Sequence, residues 1–273
     1  MAALPSPTAF RTLPVPGLGR DLRVWGGKVR GKSLPLVLHF HGGTFDSGDL
    51  DSGAQLAQLM VGAGAVVASF DYPLAPGHRF PDAVEAGYAA LEWLYKQRTA
   101  LAGKDAPFFV AGEEAGGNLA AAVAMVARDR LHPPLAGQVL VAPMLDPCSG
   151  TPSLRDKLGP QVECRWAEGW QRYLRGPMDA EHPYAVPGRA QRLAGLAPAL
   201  VLTAADDPMR DEAVAYADRL RAAGVPATSA VLGLATGWPQ SLEQELPDDC
   251  PCAGEAQCWL RDFFQAPTPP PPS

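Results

Sequence analysis

The chain reads as an α/β protein with a mainly parallel sheet flanked by helices. Three features predict this. Short apolar runs recur at Pro35–Phe40, Ala65–Phe70, Phe108–Ala111 and Gln138–Ala142. Runs of that kind suit strands covered on both faces. Between them lie longer segments with helical apolar spacing, which gives the β-α-β order of a parallel sheet. Finally, a strand, a glycine-flanked turn and a long alanine-rich helix follow one another from Pro107 to Asp129.

Taken in order, residues 1 to about 20 are rich in Pro and Gly and predict an irregular arm. Arg23-Val24-Trp25 and the glycines after it predict an early edge hairpin. The Pro35–Phe40 strand ends in the loop His41-Gly42-Gly43-Thr44-Phe45, and residues 52 to 61 read as a helix. After the Ala65–Phe70 strand comes the proline-punctuated turn Asp71 to Pro76. Asp82 to about Lys96 reads as a helix, with Ala83, Ala86, Ala90, Leu91 and Leu94 on one face. Beyond Gln138–Ala142 the strand rhythm stops until Leu200. A helix from Val162 to Leu174 carries Trp166, Trp170 and Tyr173. An insertion after a strand end, here about 144–197, is where a lid belongs. Leu200–Leu202 resumes the sheet, Glu212 to Ala223 reads as a helix, and Ala227 to Leu232 as a last strand. Glu255 to Phe264 reads as a terminal helix, and 265–273 as a Pro-rich disordered tail. One domain therefore spans 21–264.

Bulk properties narrow the function. A chain of 273 residues, 47 % hydrophobic and 19 % charged, suits a globular protein with a sizeable core. The net charge of -6 argues against nucleic acid as a partner. The N-terminus lacks the apolar core of a signal peptide, and no run of about 18 apolar residues suggests a membrane span. These features predict a cytoplasmic protein with no membrane partner. Five cysteines without regular spacing point to free thiols in a reducing compartment. Cys250, Cys252 and Cys258 lie close enough in sequence for a disulfide or metal, but no histidine stands beside them. No metal site and no dinucleotide fingerprint is expected, hence no cofactor. The terminal helix and last strand are surfaces through which two chains could pair as a homodimer.

The chemistry is expected beyond the carboxyl ends of the strands. The Gly-x-x-x-Gly spacing from Gly112 to Gly116 suits a nucleophile elbow, but its central residue is Glu114. His41-Gly42-Gly43 and the Ala115 N–H together suit an oxyanion pocket. Asp206-Asp207-Pro208 and the loop Gly233 to Trp238 arrive at the same end of the sheet.

These motifs resemble the hormone-sensitive-lipase-like branch of the α/β-hydrolase fold. The matching stretches are His41-Gly42-Gly43, Tyr72 to Pro76, Gly112 to Asn118, Asp207 to Glu212 and Gly233 to Trp238. The resemblance implies a serine carboxylesterase fold, with an elbow reading Gly-Asp-Ser-Ala-Gly-Gly. Here Glu113 takes the place of the Asp and Glu114 that of the nucleophilic Ser. Asp207 matches the acid, Thr236 stands at the catalytic His position, and Thr44 replaces a Gly of the oxyanion loop. The N-terminal part of the family's cap reads as reduced.

A carboxylate at 114 has no hydroxyl to attack an ester, and Thr236 offers no imidazole. Three functions remain open. One is a non-catalytic scaffold binding a small organic ligand or a partner. Another is an enzyme using Glu114 as general acid or base with Asp207 or His41, for elimination, decarboxylation, cyclisation or addition. The third is hydrolysis with Glu114 as carboxylate nucleophile. Glu114 and Asp207, if close and poorly solvated, would raise one another's proton affinity. Glu113, Asn118 and Arg210 read as supports, and Trp166, Trp170 and Trp238 as pocket lining or lid packing.

Overall fold

The computed structural model describes residues 9–148, 150–157, 160–233 and 251–266. Within them, eight strands form one sheet in the order β1-β2-β4-β3-β5-β6-β7-β8. β1 (Phe10–Val15) and β2 (Arg20–Trp25) make an antiparallel hairpin. β1 lies inside the stretch expected to be an irregular arm. Its N–H and C=O groups pair with β2, which outweighs the Pro and Gly content at the turn. β2 pairs antiparallel with β4 (Val66–Phe70). From there β3 (Leu36–Phe40), β5 (Phe108–Glu113), β6 (Gly137–Val141), β7 (Ala199–Ala204) and β8 (Ala227–Leu232) continue in parallel pairs.

Every residue of β3, β4, β5, β6 and β7 is buried, as the apolar runs predict. One face of the sheet packs under α2 (Asp82–Leu101), α3 (Ala115–Asp129) and α7 (Arg210–Ala222). The other packs under α1 (Ala54–Gly62) and α8 (Pro251–Gln265). α3 sits deepest, and from Ala115 to Ala127 every residue is buried. Its alanines and glycines let it lie close to the sheet, which a bulkier helix would not permit.

Between β6 and β7 the chain forms α4 (Pro152–Lys157), α5 (Pro160–Tyr173), α6 (Pro177–Ala180) and a 3-10 turn at Pro187–Arg189. This is the insertion anticipated at about 144–197. α2 runs to Leu101 and α8 begins at Pro251, each longer than the apolar spacing predicts. Helix ends are the least legible part of an element in the sequence, because backbone bonding continues past the last residues of the apolar pattern.

The expectation of free thiols throughout is corrected at one position. Cys148 and Cys258 are free and exposed, while Cys252 is buried and disulfide-bonded. Thiol usage therefore does not argue for a reducing compartment. Among the described residues, no helix is long and apolar enough to cross a membrane, and no group of His, Cys, Asp and Glu is set to hold a metal.

Candidate functional site

The turn between β5 and α3 places Glu114 at φ 49°, ψ −118°. A non-glycine residue in that region costs about 1–3 kcal/mol and persists only where its surroundings force it. Here they do. The N–H of Glu114 donates to the Val141 carbonyl at 3.1 Å, and its carbonyl accepts from Met144 at 3.0 Å and Asn118 at 3.2 Å. The turn closes this tightly because Gly116 has no Cβ. One there would lie 2.1 Å from the Phe40 carbonyl oxygen. The glycine spacing read from the sequence thus has a steric cause.

Glu114 points into the loop after β3 and is almost fully buried. Its Oε2 accepts the Gly43 N–H at 2.9 Å. The preceding carboxylate does the same one residue earlier, with Glu113 Oε1 accepting the Gly42 N–H at 2.9 Å. The Ala115 N–H, expected as a third donor to a ligand oxyanion, instead donates to the Gly43 carbonyl at 3.2 Å. The physical reason is proximity: the HGG loop folds back onto the start of α3, so its carbonyl reaches the helix N–H first. All three N–H groups anticipated for an oxyanion therefore have acceptors within the chain.

Two residues that the sequence reading passed over complete this corner. Arg165, on α5, brings a guanidinium nitrogen to 3.9 Å from Glu114 Oε2. His39, wholly buried on β3, bonds Glu113 Oε2 through Nε2 at 2.7 Å and Ser69 Oγ through Nδ1 at 2.9 Å. A signal for His39 existed, since a polar residue inside an apolar strand needs a buried partner. None existed for Arg165, whose approach depends on how the insertion folds back.

His41 stacks on Tyr72 at 4.2 Å, and its Nδ1 bonds the Gly42 carbonyl at 2.8 Å. Burial holds its imidazole below the usual histidine range, against the opposing effect of that carbonyl. Both contacts tie the ring into the loop that it begins. Thr44 is buried and its Oγ1 donates to Asp46 Oδ1 at 2.7 Å. Asn118 Nδ2 donates to the carbonyls of Met144 at 2.9 Å and Ala185 at 3.2 Å, tying the elbow to the insertion. Trp170 packs against Phe45 at 4.8 Å, and Trp166 is buried with it in the core. Both pack the insertion against the core.

Asp207 stands in the loop after β7, wholly buried. Its Oδ2 accepts from the Thr203 hydroxyl and its Oδ1 from the Met209 N–H at 2.8 Å. Burial pushes its carboxyl up to about 6, with the neighbouring Asp206 charge adding to the rise. Burial is the largest cause of that rise. Arg210 braces the same loop through Asp211 Oδ1 at 3.0 Å and the Ala205 carbonyl at 2.8 Å. Thr236 and Trp238 lie outside the described residues.

A strand, a strained turn and a buried helix beneath a glycine loop define a class, and comparison with known proteins agrees. The family described as alpha/beta hydrolase fold matches residues 37–234. The chain belongs to that family, in its hormone-sensitive-lipase-like branch. It is 40% identical over 196 residues to esterase LipI of Mycobacterium tuberculosis, covering 70% of this chain and 61% of that protein. It is 34% identical over 210 residues to the gibberellin receptor GID1C of Arabidopsis thaliana, covering 72% and 60%. The chain thus spans about three fifths of the length of these curated relatives. Among solved structures, the hyperthermophilic esterase from Pyrobaculum calidifontis superposes with a TM-score of 0.80 at 34% identity, covering 95% of this chain and 87% of that one.

Proposed function

We propose that this chain is a non-hydrolytic member of its family that binds a small organic ligand at the pocket built on Glu114. In this reading Glu114, Asp207 and Thr236 occupy the positions of nucleophile, acid and base. The observation that carries it is the bond from the Gly43 N–H to Glu114 Oε2 at 2.9 Å. A hydrolase needs that donor for the oxyanion of its transition state. Here a carboxylate holds it in the ground state, beside a second carboxylate on Gly42. An ester carbonyl oxygen would have to displace the Glu114 carboxylate from that N–H, and would develop its negative charge beside two acidic side chains. The occurrence of a protein named as a gibberellin receptor among the relatives supports a binding role on this fold.

The test is a panel of short-chain p-nitrophenyl esters. The wild-type chain is expected to show no turnover above background. Glu114→Ser combined with Thr236→His is expected to gain hydrolysis, while Glu114→Ser alone stays inactive for want of a base. Hydrolysis by the wild type that disappears in Glu114→Ala would overturn the proposal.

A second reading has one observation in its favour. Glu114 keeps the strained backbone of a reactive position, and strain of that kind gathers at functional sites. Glu114 would then act as general acid or base on a small organic substrate. That reading expects Glu114→Gln to abolish turnover with the fold intact. Unchanged turnover in that variant would remove it.

A further inference from the structure

We propose that His39 and Glu113 form a positioning pair, which sets the Gly42–Gly43 turn and so presents the Gly43 N–H to Glu114. The parts come from adjacent strands. His39 on β3 lies opposite Ser69 on β4 and Ala111 on β5. Ser69, His39 and Glu113 are each buried, at 0%, 0% and 3% exposure. They form one chain: Ser69 Oγ to His39 Nδ1 at 2.9 Å, His39 Nε2 to Glu113 Oε2 at 2.7 Å, and Glu113 Oε1 to the Gly42 N–H at 2.9 Å. The next N–H along, from Gly43, goes to Glu114.

On the same face of β3 as His39, Val37 is fully buried among apolar side chains. The polar chain set into that face ends at the HGG turn, where Glu113 Oε1 accepts the Gly42 N–H. Two carboxylates crowd that turn. The place where a Cβ on Gly42 would sit is 3.0 Å from Glu113 Cγ and 3.1 Å from Glu114 Oε2. His39 engages Glu113 through Oε2, so that only Oε1 turns toward Gly42 and the Gly43 N–H is left to Glu114. The imidazole packs against Gly53, where a Cβ would lie 3.0 Å from its Cε1. His39 touches no ligand in this account and acts through Glu113.

The proposal rests on the Glu114 pocket being the functional site, but its readout is the pocket amide and not a ligand. Amide NMR of the full chain is the test. Glu114→Ala first marks the Gly43 signal, which moves upfield when its carboxylate acceptor is removed. His39→Leu is expected to move the Gly43 signal the same way and to speed hydrogen exchange at Gly42 and Gly43 about tenfold, with α7 amides unchanged. His39→Gln, whose side-chain N–H can donate to Glu113, is expected to restore both. A folded His39→Leu with an unmoved Gly43 signal overturns the proposal, as does equal disturbance by Leu and Gln. If His39→Leu does not fold, Glu113→Gln decides. Faster exchange at both glycines supports the pair, and a change confined to Gly42 overturns it. Loss of ligand binding with the Gly43 signature intact would count only against the binding reading.

Discussion

Glu114 and Asp207 are both buried acids, yet their surroundings differ in kind. Glu114 faces a backbone N–H and an arginine, while Asp207 faces a hydroxyl and a backbone N–H. For Asp207, burial outweighs its two hydrogen bonds and raises the carboxyl from 3.8 to about 6. A raised folded value means that the native state binds the proton more tightly than the unfolded chain. Its contribution to stability is full below 3.8 and is lost as pH rises through about 6. The difference is on the order of 3 kcal/mol. Asp207→Asn keeps both bonds, with Oδ1 accepting from Met209 and Nδ2 turned to Thr203. Urea unfolding at pH about 8 is expected to show the Asn variant more stable than wild type by up to about 3 kcal/mol, and the gain to vanish near pH about 4. Equal stability of the two proteins at the higher pH would contradict this. At this level the sequence reading found Glu114 from the glycine spacing of its turn, and Asp207 from its place at a strand end and the family resemblance. The acceptor that each N–H would find was not legible, because Gly43 and Glu114 are remote in sequence and meet only when β3 and β5 pair.

α5 shows how a helix of the insertion is fastened over that corner. Gly169 faces Thr44 so closely that a Cβ would lie 2.2 Å from the Thr44 carbonyl oxygen. Arg172 on the same helix pairs with Asp46, and Phe45 stacks flat on Tyr173 at 4.0 Å. The helix therefore rests on the residues that follow the HGG turn. Gly169→Ala sets a methyl against backbone, which cannot swing aside as a flexible side chain would. It is expected to cost about 1–3 kcal/mol and to lower the thermal midpoint, read by calorimetry. An unchanged midpoint would mean that α5 gives way freely. Arg172→Ala removes a half-exposed partner from Asp46 and is expected to cost less, about 1 kcal/mol or under, with the effect shrinking as salt is added. The aromatic spacing on α5 was visible in the sequence. Whether Trp166 and Trp170 faced ligand or core was not, since both surfaces are apolar.

Across the molecule, the sheet has one face under α2, α3 and α7 and the other under α1 and α8. The second face is closed late in the chain by α8. Leu260 and Phe264 of that helix are buried, and Phe264 meets Phe109 of β5 at 5.1 Å. The strand that carries the elbow is thus backed by the last described helix. Phe264→Ala is expected to destabilise the whole fold by about 3–5 kcal/mol in denaturant unfolding. A loss below about 1 kcal/mol would mean that α8 is dispensable to the core.

The amino-acid order alone carried the strands from β2 on, the glycine-spaced elbow, the insertion between β6 and β7 and the family. Each is written locally, in apolar runs, helical spacing or short motifs, and parallel topology follows from their alternation. The β1 strand escaped that reading because its partner β2, not its own composition, makes it a strand. The pairing at the HGG turn escaped it too. Glycine amides and acidic side chains are all present in the sequence, but which donor meets which acceptor depends on contacts across 71 positions, from Gly42 to Glu113 and from Gly43 to Glu114. Folding brought the carboxylates onto the very N–H groups that the motif would have left for a ligand.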